Sequence, residues 1–412
     1  MGKTLRQRLP EVLRQRDFAL LLAGSVGTAL ASQMVAVAIG WQVYAIHRNP
    51  LDLGLIGLLE FVPMLVLALP AGQLADRVSR RLIYAASLVL DVAVAASLLL
   101  VSAGGAHDLW PFLVLAGAIG VAGAVGNPAV RSLPPSLVAP ELLPHATAIR
   151  TTAGQAAVIA GPALGGALFA VRPELVFAAA CGVFLLALTA TLAMRVPRYA
   201  PGPPAPGLQS LLGGISFLHR SPIVLGAILL DLFAVLFGGA VALLPVFARD
   251  VLHTGPAGLG LLRSAPAVGA FLAGLALTRR PLGGRAGRTL LVVVGVFGLS
   301  MVAFGLSHWF ALSAVALAVG GFADMVSMNI RSTTVALATP THLLGRVTAV
   351  EMVFISASNE LGAFESGVAA ALVGAMPAVV AGGALTVAIA LAWPRLFPAL
   401  ARVDRLEQVR PE

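Results

Sequence analysis

Twelve long apolar stretches, each closed off by a short run of charge, Pro or Gly, constrain this chain more than any other feature of it. Only 11% of its 412 residues are charged and 58% are hydrophobic, whereas a soluble domain carries roughly 25% charged residues. A water-soluble protein of that balance has too little polar surface to cover itself, so the expected solvent is lipid. A helix needs about 20 apolar residues to cross the hydrocarbon. The punctuation places twelve such spans at 18–46, 51–75, 82–103, 109–132, 143–171, 174–194, 223–248, 257–279, 288–307, 309–338, 342–372 and 376–398. Spans above 25 residues imply tilt, kinks or extension past the bilayer. The 44 Gly residues and abundant Ala suit helices that associate by close packing rather than by the hydrophobic effect.

The longest polar break, 195–222, holds Pro197, Pro201, Pro203, Pro204 and Pro206 and reads as a linker. It divides the chain into a six-helix bundle over 1–194, a cytoplasmic linker over 195–222 and a second six-helix bundle with a cytoplasmic tail over 223–412. Basic residues set the orientation. With the N-terminus inside, the outward loops hold only Arg48, Arg172 and Arg249, while the tails, the remaining loops and the inner ends of the spans beside them hold Lys3 and 19 Arg. Both termini are therefore expected in the cytoplasm, with the protein multi-pass in the inner (plasma) membrane. The basic N-terminus followed by an apolar run resembles a secretory leader in outline. The run from Phe18 to Ile46 far exceeds the roughly 7–15 residues of a leader's apolar core, so it is expected to be retained as the first span.

The halves repeat. Arg131, Ser132, Leu137, Pro140 and Leu143 recur as Arg331, Ser332, Leu337, Pro340 and Leu343, at one constant offset. Gly72 to Arg77 likewise corresponds to Gly274 to Arg279. Six plus six helices in parallel repeats is an architecture whose transport site forms near the bilayer midplane, between the halves.

Two motifs carry a family resemblance. After the second span the chain reads Gly72-Gln-Leu-Ala-Asp76-Arg77-Val-Ser-Arg80-Arg81, which resembles the cytoplasmic signature of the major facilitator superfamily, with Ser79 in place of the usual Gly. The resemblance implies a conformational clamp made by Gly72, Asp76, Arg77, Arg80 and Arg81, in which the carboxylate accepts hydrogen bonds from an Arg or a helix N-terminus. The fifth span, Gly154 to Gly166, looks like that superfamily's antiporter signature: Gly154 opens the stretch, Gly161, Pro162, Gly165 and Gly166 fit the pattern, and Ala157 stands in its first Gly position. The glycines strip side chains from one face and Pro162 bends the helix. The segments from Asn127 to Ala148 and from Ser358 to Gly367 are similar to the exporter subfamily of enterobactin exporters and macrolide-type efflux proteins. Together these imply an all-α, twelve-helix major facilitator fold, export by exchange, and protons and a small molecule as partners.

A charge at the bilayer centre costs about 2.5–3.5 kcal/mol on insertion scales, so membrane charges are expected to face protein or water. They are Glu60, Asp91, Asp231, Asp324, Glu351, Glu360 and Glu365, with Arg131, Arg150, Arg263 and Arg331 as cationic partners. Burial in an apolar cavity penalises the charged form of a carboxyl, which is the physical basis of proton uptake. Asp231 and Glu360 are the leading proton or substrate candidates, followed by Glu365 and Asp91, and each has structural ion pairing as its alternative. Gln33 and Asn127 are suited to bonding substrate or to bridging helices. Arg131 and Arg331, equivalent in the repeat, are read as cytoplasmic gate or packing residues.

Soluble chemistry finds no foothold. No phosphate-cradling Gly-rich loop ends in Lys-Ser/Thr, the seven His lack metal-ligand spacing, and Cys181 is the lone cysteine. The net charge of +9 sits between spans and forms no stripe for nucleic acid. No cofactor, metal, nucleic-acid partner or enzymatic activity is expected, and the chain is read as a monomer. The expected function is proton-coupled export of a small amphiphilic molecule, a drug or siderophore, by alternating access. An importer or symporter of a small metabolite is the alternative, and a membrane-embedded enzyme or non-transporting sensor stands further back.

Overall fold

The computed structural model describes residues 11–196, 216–280 and 284–404, without the side chains of 68, 69 and 71–77. Within them twelve long helices run in chain order: α1 Arg16–His47, α2 Pro50–Arg77, α3 Arg80–Ala103, α4 Trp110–Arg131, α5 Leu143–Val171, α6 Pro173–Ala193, α7 Pro222–Gly238, α8 Gly255–Arg279, α9 Ala286–Leu306, α10 Phe310–Ala338, α11 Thr341–Val373 and α12 Ala375–Leu396. Among the described residues there is no strand. Helix is the outcome hydrocarbon enforces, because it pairs every backbone group within the segment. Proline supplies much of the punctuation. α2, α6 and α7 begin on one, and α4, α5 and α8 have one in the first turn, where its missing N–H costs nothing.

The outward faces are apolar. Leu100, Leu186, Leu372 and Leu391 are each at least 70% exposed, which lipid tolerates and water would not. Eleven of the helices are long and apolar enough to cross a membrane. α11 stands apart because it carries Arg346, Glu351, Glu360 and Glu365.

The helices form two compact units. One comprises Met1–Ile39 with Val62–Ala205, the other Gly40–Phe61 with Pro206–Glu412. In the first, α3 packs along α4 and α6, and α5 along α6. Its basic loop after α2 has a defined job. Arg80 donates to the Ser132 carbonyl at 2.9 Å, and Arg81 donates to the Met194 carbonyl. Ser132 and Met194 cap α4 and α6, so both guanidiniums meet the negative end of a helix dipole. Asp17 in turn accepts from the Arg195 N–H at 3.0 Å.

In the second unit, α9 packs along α10 and α12, α8 along α10, and α7 against α11 and α12. Gly269 and Gly321 sit so close to the Ala318 and Pro266 backbones that a Cβ at either would collide with main chain. The two helices therefore approach at backbone distance, as small residues permit. Trp393 closes the core by donating its indole N–H to the Gly226 carbonyl at 3.1 Å.

α7 differs from its sequence reading. Instead of one helix over 223–248, it stops at Gly238 and continues through a 3-10 turn (Val241–Leu243), a short helix (Leu244–Val246) and a π-helical turn, Phe247–Val251. Gly238, Gly239 and Pro245 fall in or beside this break, where an apolar pattern alone cannot register the loss of helical pairing. The freed Gly239 carbonyl accepts from the Ser366 hydroxyl at 3.0 Å, which is how a broken helix is tolerated at membrane depth.

Candidate functional site

The charges that sequence reasoning placed inside the membrane gather into separate groups. In the second unit, Asp231 of α7 and Arg331 of α10 form an ion pair at 2.6 Å, with side chains only 9% and 7% exposed. Arg331 also donates from Nε to the Ser327 hydroxyl at 3.2 Å. Ser327 lies one turn along α10 from Arg331, and Asp324 lies a turn beyond that. Asp324 and Glu351 of α11 both lie within electrostatic reach of Arg331 and Asp231. One guanidinium thus pairs with Asp231 and lies within electrostatic reach of two further carboxyls. Asp231 is held by an ion pair, and Arg331 is a buried partner rather than an exposed residue.

A second group in the same unit draws on α2, α8 and, again, α11. Glu60 of α2 lies within electrostatic reach of Glu360 of α11 and Arg263 of α8, and Arg263 feels both carboxyls. The Glu360 carboxylate passes beside Gly57, where a Cβ would come within 3.3 Å of Oε2. All three side chains are half-buried. This cluster has an acid in excess over its single base, and it unites residues far apart in sequence. Glu360 was singled out from the sequence; Glu60 and Arg263 were read there only as membrane charges. Their convergence had no local signal, because it depends on α2, α8 and α11 meeting. Glu365 follows Glu360 by little more than one turn and sits beside Ser366.

In the first unit, the Tyr84 and Thr28 hydroxyls are hydrogen-bonded at 2.9 Å. Asp91 and Arg150 lie within electrostatic reach of Tyr84, and Arg131 within reach of Arg150. Arg131 is exposed, so its environment differs from that of its repeat counterpart Arg331. Asn127 is exposed at the end of α4. Gln33 packs against the α5 glycine face, where a Cβ on Gly161 would lie 2.7 Å from Gln33 Cβ. A Cβ on Gly165 would lie 2.7 Å from Met34 Cα. Gly161, Pro162, Gly165 and Gly166 are all buried, whereas Gly154 has nothing within 4 Å of its added Cβ. Of the clamp loop, Arg80 and Arg81 bond the helix ends described above. Of Gly72, Asp76 and Arg77 only the backbone, within α2, belongs to the described structure. Among the described residues no group of His, Cys, Asp and Glu is placed to hold a metal ion.

The model of the transmembrane secretion effector family matches residues 11–409. The chain is 32% identical over 231 residues to the enterobactin exporter EntS of Shigella dysenteriae serotype 1 and, equally, to that of Escherichia coli O139:H28. In both cases the alignment covers 54% of this chain and 54% of the relative, about half of each. Among solved structures, a bacterial homologue of the human lysosomal transporter Spinster superposes with a TM-score of 0.73 at 15% identity, covering 94% of this chain and 97% of that one. A bacterial homologue of the iron transporter ferroportin superposes with a TM-score of 0.66 at 20% identity, covering 95% and 100%. At such identities the likeness concerns the fold.

Proposed function

The chain belongs to the transmembrane secretion effector family of major facilitator transporters, and from that premise we propose that it is a proton-coupled exporter. It is a multi-pass membrane protein, a transporter and not an enzyme. In this reading it sits in the inner (plasma) membrane as a monomer, with both termini cytoplasmic and its two six-helix halves, 1–194 and 223–412, joined by the 195–222 linker. A small amphiphilic molecule, a drug or a siderophore such as enterobactin, is carried outward by alternating access while protons return.

The observation that carries this reading is the cluster of Glu60, Glu360 and Arg263. One guanidinium balances one carboxylate, which leaves the second carboxyl to be neutral with a proton or charged without it. An unpaired charge opposes passage through a closed, dry state, because desolvation is costly. Protonation removes that obstacle, and deprotonation on the inner side restores a charge for substrate to meet. Two conditions of an exchanger follow: an empty, unprotonated carrier does not turn over, and a loaded one does. Asp231, held by Arg331, serves in this reading as a fixed charge within the second half. Glu365, Asp91, Gln33 and Asn127 are secondary candidates for substrate or proton contact, and Arg131 for the inner gate. The glycine–proline face of α5 supports the exchange direction by resemblance to the antiporter signature.

Everted membrane vesicles test it. Ethidium, a macrolide and enterobactin are supplied in turn with an imposed proton gradient, and accumulation is followed. At least one probe is expected to accumulate, to be released by a protonophore, and to fail to accumulate in Glu360→Gln or Glu60→Gln protein of normal abundance. Accumulation indifferent to the protonophore would sink the coupling. Uptake in right-side-out vesicles alone would reverse the direction.

A further inference from the structure

Residues Gly40–Phe61, the turn between α1 and α2 with its flanking helix ends, pack in the compact unit otherwise made of residues 206–412. The turn is built in advance. Arg48 takes a left-handed φ of 51°, the Asn49 side-chain oxygen accepts from the Leu51 N–H at 3.0 Å, and His47 Nδ1 lies 3.2 Å from Asp52 Oδ2. These local bonds let the hairpin act as one rigid piece.

The piece meets two surfaces. The first is the broken end of α7. A π-helical turn re-aims side chains relative to regular helix and is frequent at functional sites. Here it presents Arg249 and Asp250 together. The Tyr44 hydroxyl donates to the Asp250 carboxylate, and the Arg249 guanidinium lies 5.7 Å from the Trp41 ring centroid, in cation–π range. Tyr44 is buried. The second surface is α11. A Cβ on Gly54 would lie 3.1 Å from Phe364 Cα, one on Gly57 would lie 3.1 Å from Ala363 Cβ, and one on Gly367 would lie 2.9 Å from Gly54 Cα. Hairpin and α11 therefore approach at close range along Gly54, Gly57 and Gly367, with the Glu360 carboxylate beside Gly57.

The two surfaces differ in what they contribute. Contacts between small groups are individually weak, and those at Gly54, Gly57 and Gly367 have no direction of their own. A hydroxyl bonded to a carboxylate is charge-assisted and roughly twice as strong as a neutral pair, and it is directional. From this division we infer that Tyr44 and Asp250, supported by Arg249 on Trp41, form a latch. It holds the α1–α2 hairpin on α7 and α11 at the outer side of the membrane and releases once per transport cycle. The latch rests on alternating access and on an inside N-terminus, and needs neither proton coupling nor a particular substrate.

The test uses the full-length protein in a Cys181→Ala background. A single Ala363→Cys reports on the contact between hairpin and α11 through its labelling rate with a membrane-impermeant maleimide added to intact cells. Tyr44→Phe and Asp250→Asn each preserve shape, and each is expected to speed labelling about tenfold or more, as the loss of a hydrogen bond to a charged group implies. Equal rates in parent and variants overturn the latch, and faster labelling in everted vesicles than in cells overturns its outer placement. Separately, Gly57→Cys with Ala363→Cys puts two Cβ positions about as close as a disulfide requires. Oxidation is expected to stop movement of whichever probe the vesicle assay identifies, and reduction to restore it. Undiminished movement with complete cross-linking overturns the latch. Protein that labels as expected yet moves no probe keeps the latch and sinks the export reading instead.

Discussion

The buried pair of Asp231 and Arg331 allows a prediction with an unequal outcome. Removing one partner of a buried ion pair typically costs about 3–5 kcal/mol, because a charge is left uncompensated. The two removals are not alike here. In Asp231→Asn, the guanidinium keeps the Ser327 hydroxyl at 3.2 Å and still has Asp324 and Glu351 within electrostatic reach, so the loss falls near the lower figure. In Arg331→Gln, three carboxyls lose the cation they share, and the loss falls near the upper figure. With the scaling of a domain of this size, about 2–4 °C per kcal/mol, the melting temperature drops by about 6–12 °C in the first variant and about 10–20 °C in the second. The double variant Asp231→Asn with Arg331→Gln is expected to lose less than the sum, since the residues share one interaction. Purified protein in detergent, heated and then scored by the surviving monodisperse fraction, measures all three. Should Arg331→Gln melt at or above Asp231→Asn, the idea that one guanidinium serves three acids is wrong.

Other substitutions have simpler expectations. Gly165→Leu forces a side chain against the Met34 main chain; overpacking of this kind costs about 1–3 kcal/mol or more, visible as a lower melting temperature and reduced yield. Trp393→Phe keeps ring packing but abandons the 3.1 Å bond to the Gly226 carbonyl, a loss of about 0.5–1.5 kcal/mol because that carbonyl keeps its place in the α7 backbone ladder, read in the same assay. Thr28→Val removes the partner of the Tyr84 hydroxyl and is expected to cost about 1 kcal/mol, with the tyrosine then free to be reached by polar solutes.

Much of the fold was legible because lipid leaves few choices. A run of about 20 apolar residues must be helix, and prolines at 50, 173 and 222 mark where α2, α6 and α7 begin. The break in α7 was not legible, since Gly238, Gly239 and Pro245 interrupt pairing without changing hydrophobicity. The clamp motif announced its arginines, but not that Arg80 and Arg81 would bond the ends of α4 and α6. Repeat symmetry equated Arg131 with Arg331, yet their surroundings differ because α7 supplies Asp231 to only one of them. Pattern matching recovers position along the chain; it cannot supply the partner brought in by another helix.

α11 shows where the remaining information lies. Of the twelve helices it alone is not among those long and apolar enough to cross a membrane, and on insertion scales each charge near its centre costs about 2.5–3.5 kcal/mol if it faces hydrocarbon. Glu351 and Glu360, some nine residues apart, avoid that cost by different means. Glu351 reaches the Arg331 group and Glu360 reaches Arg263 and Glu60, so one helix links two charge clusters within a single unit. The same helix offers Gly362 to α7 and Gly367 to the α1–α2 hairpin at backbone distance. A helix that holds two ionic groups and two glycine contacts is placed to carry a change from one of them to the others, and coupling between them has to be measured. Substituting Gly362 by Leu therefore bears on more than packing. A Cβ there already lies 3.0 Å from the Leu236 carbonyl, so the larger side chain must tilt α11 away from α7. That tilt is expected to raise the labelling rate of a cysteine at 363 even with Tyr44 and Asp250 intact. Unchanged labelling in folded Gly362→Leu protein would mean that the contacts along α11 act independently.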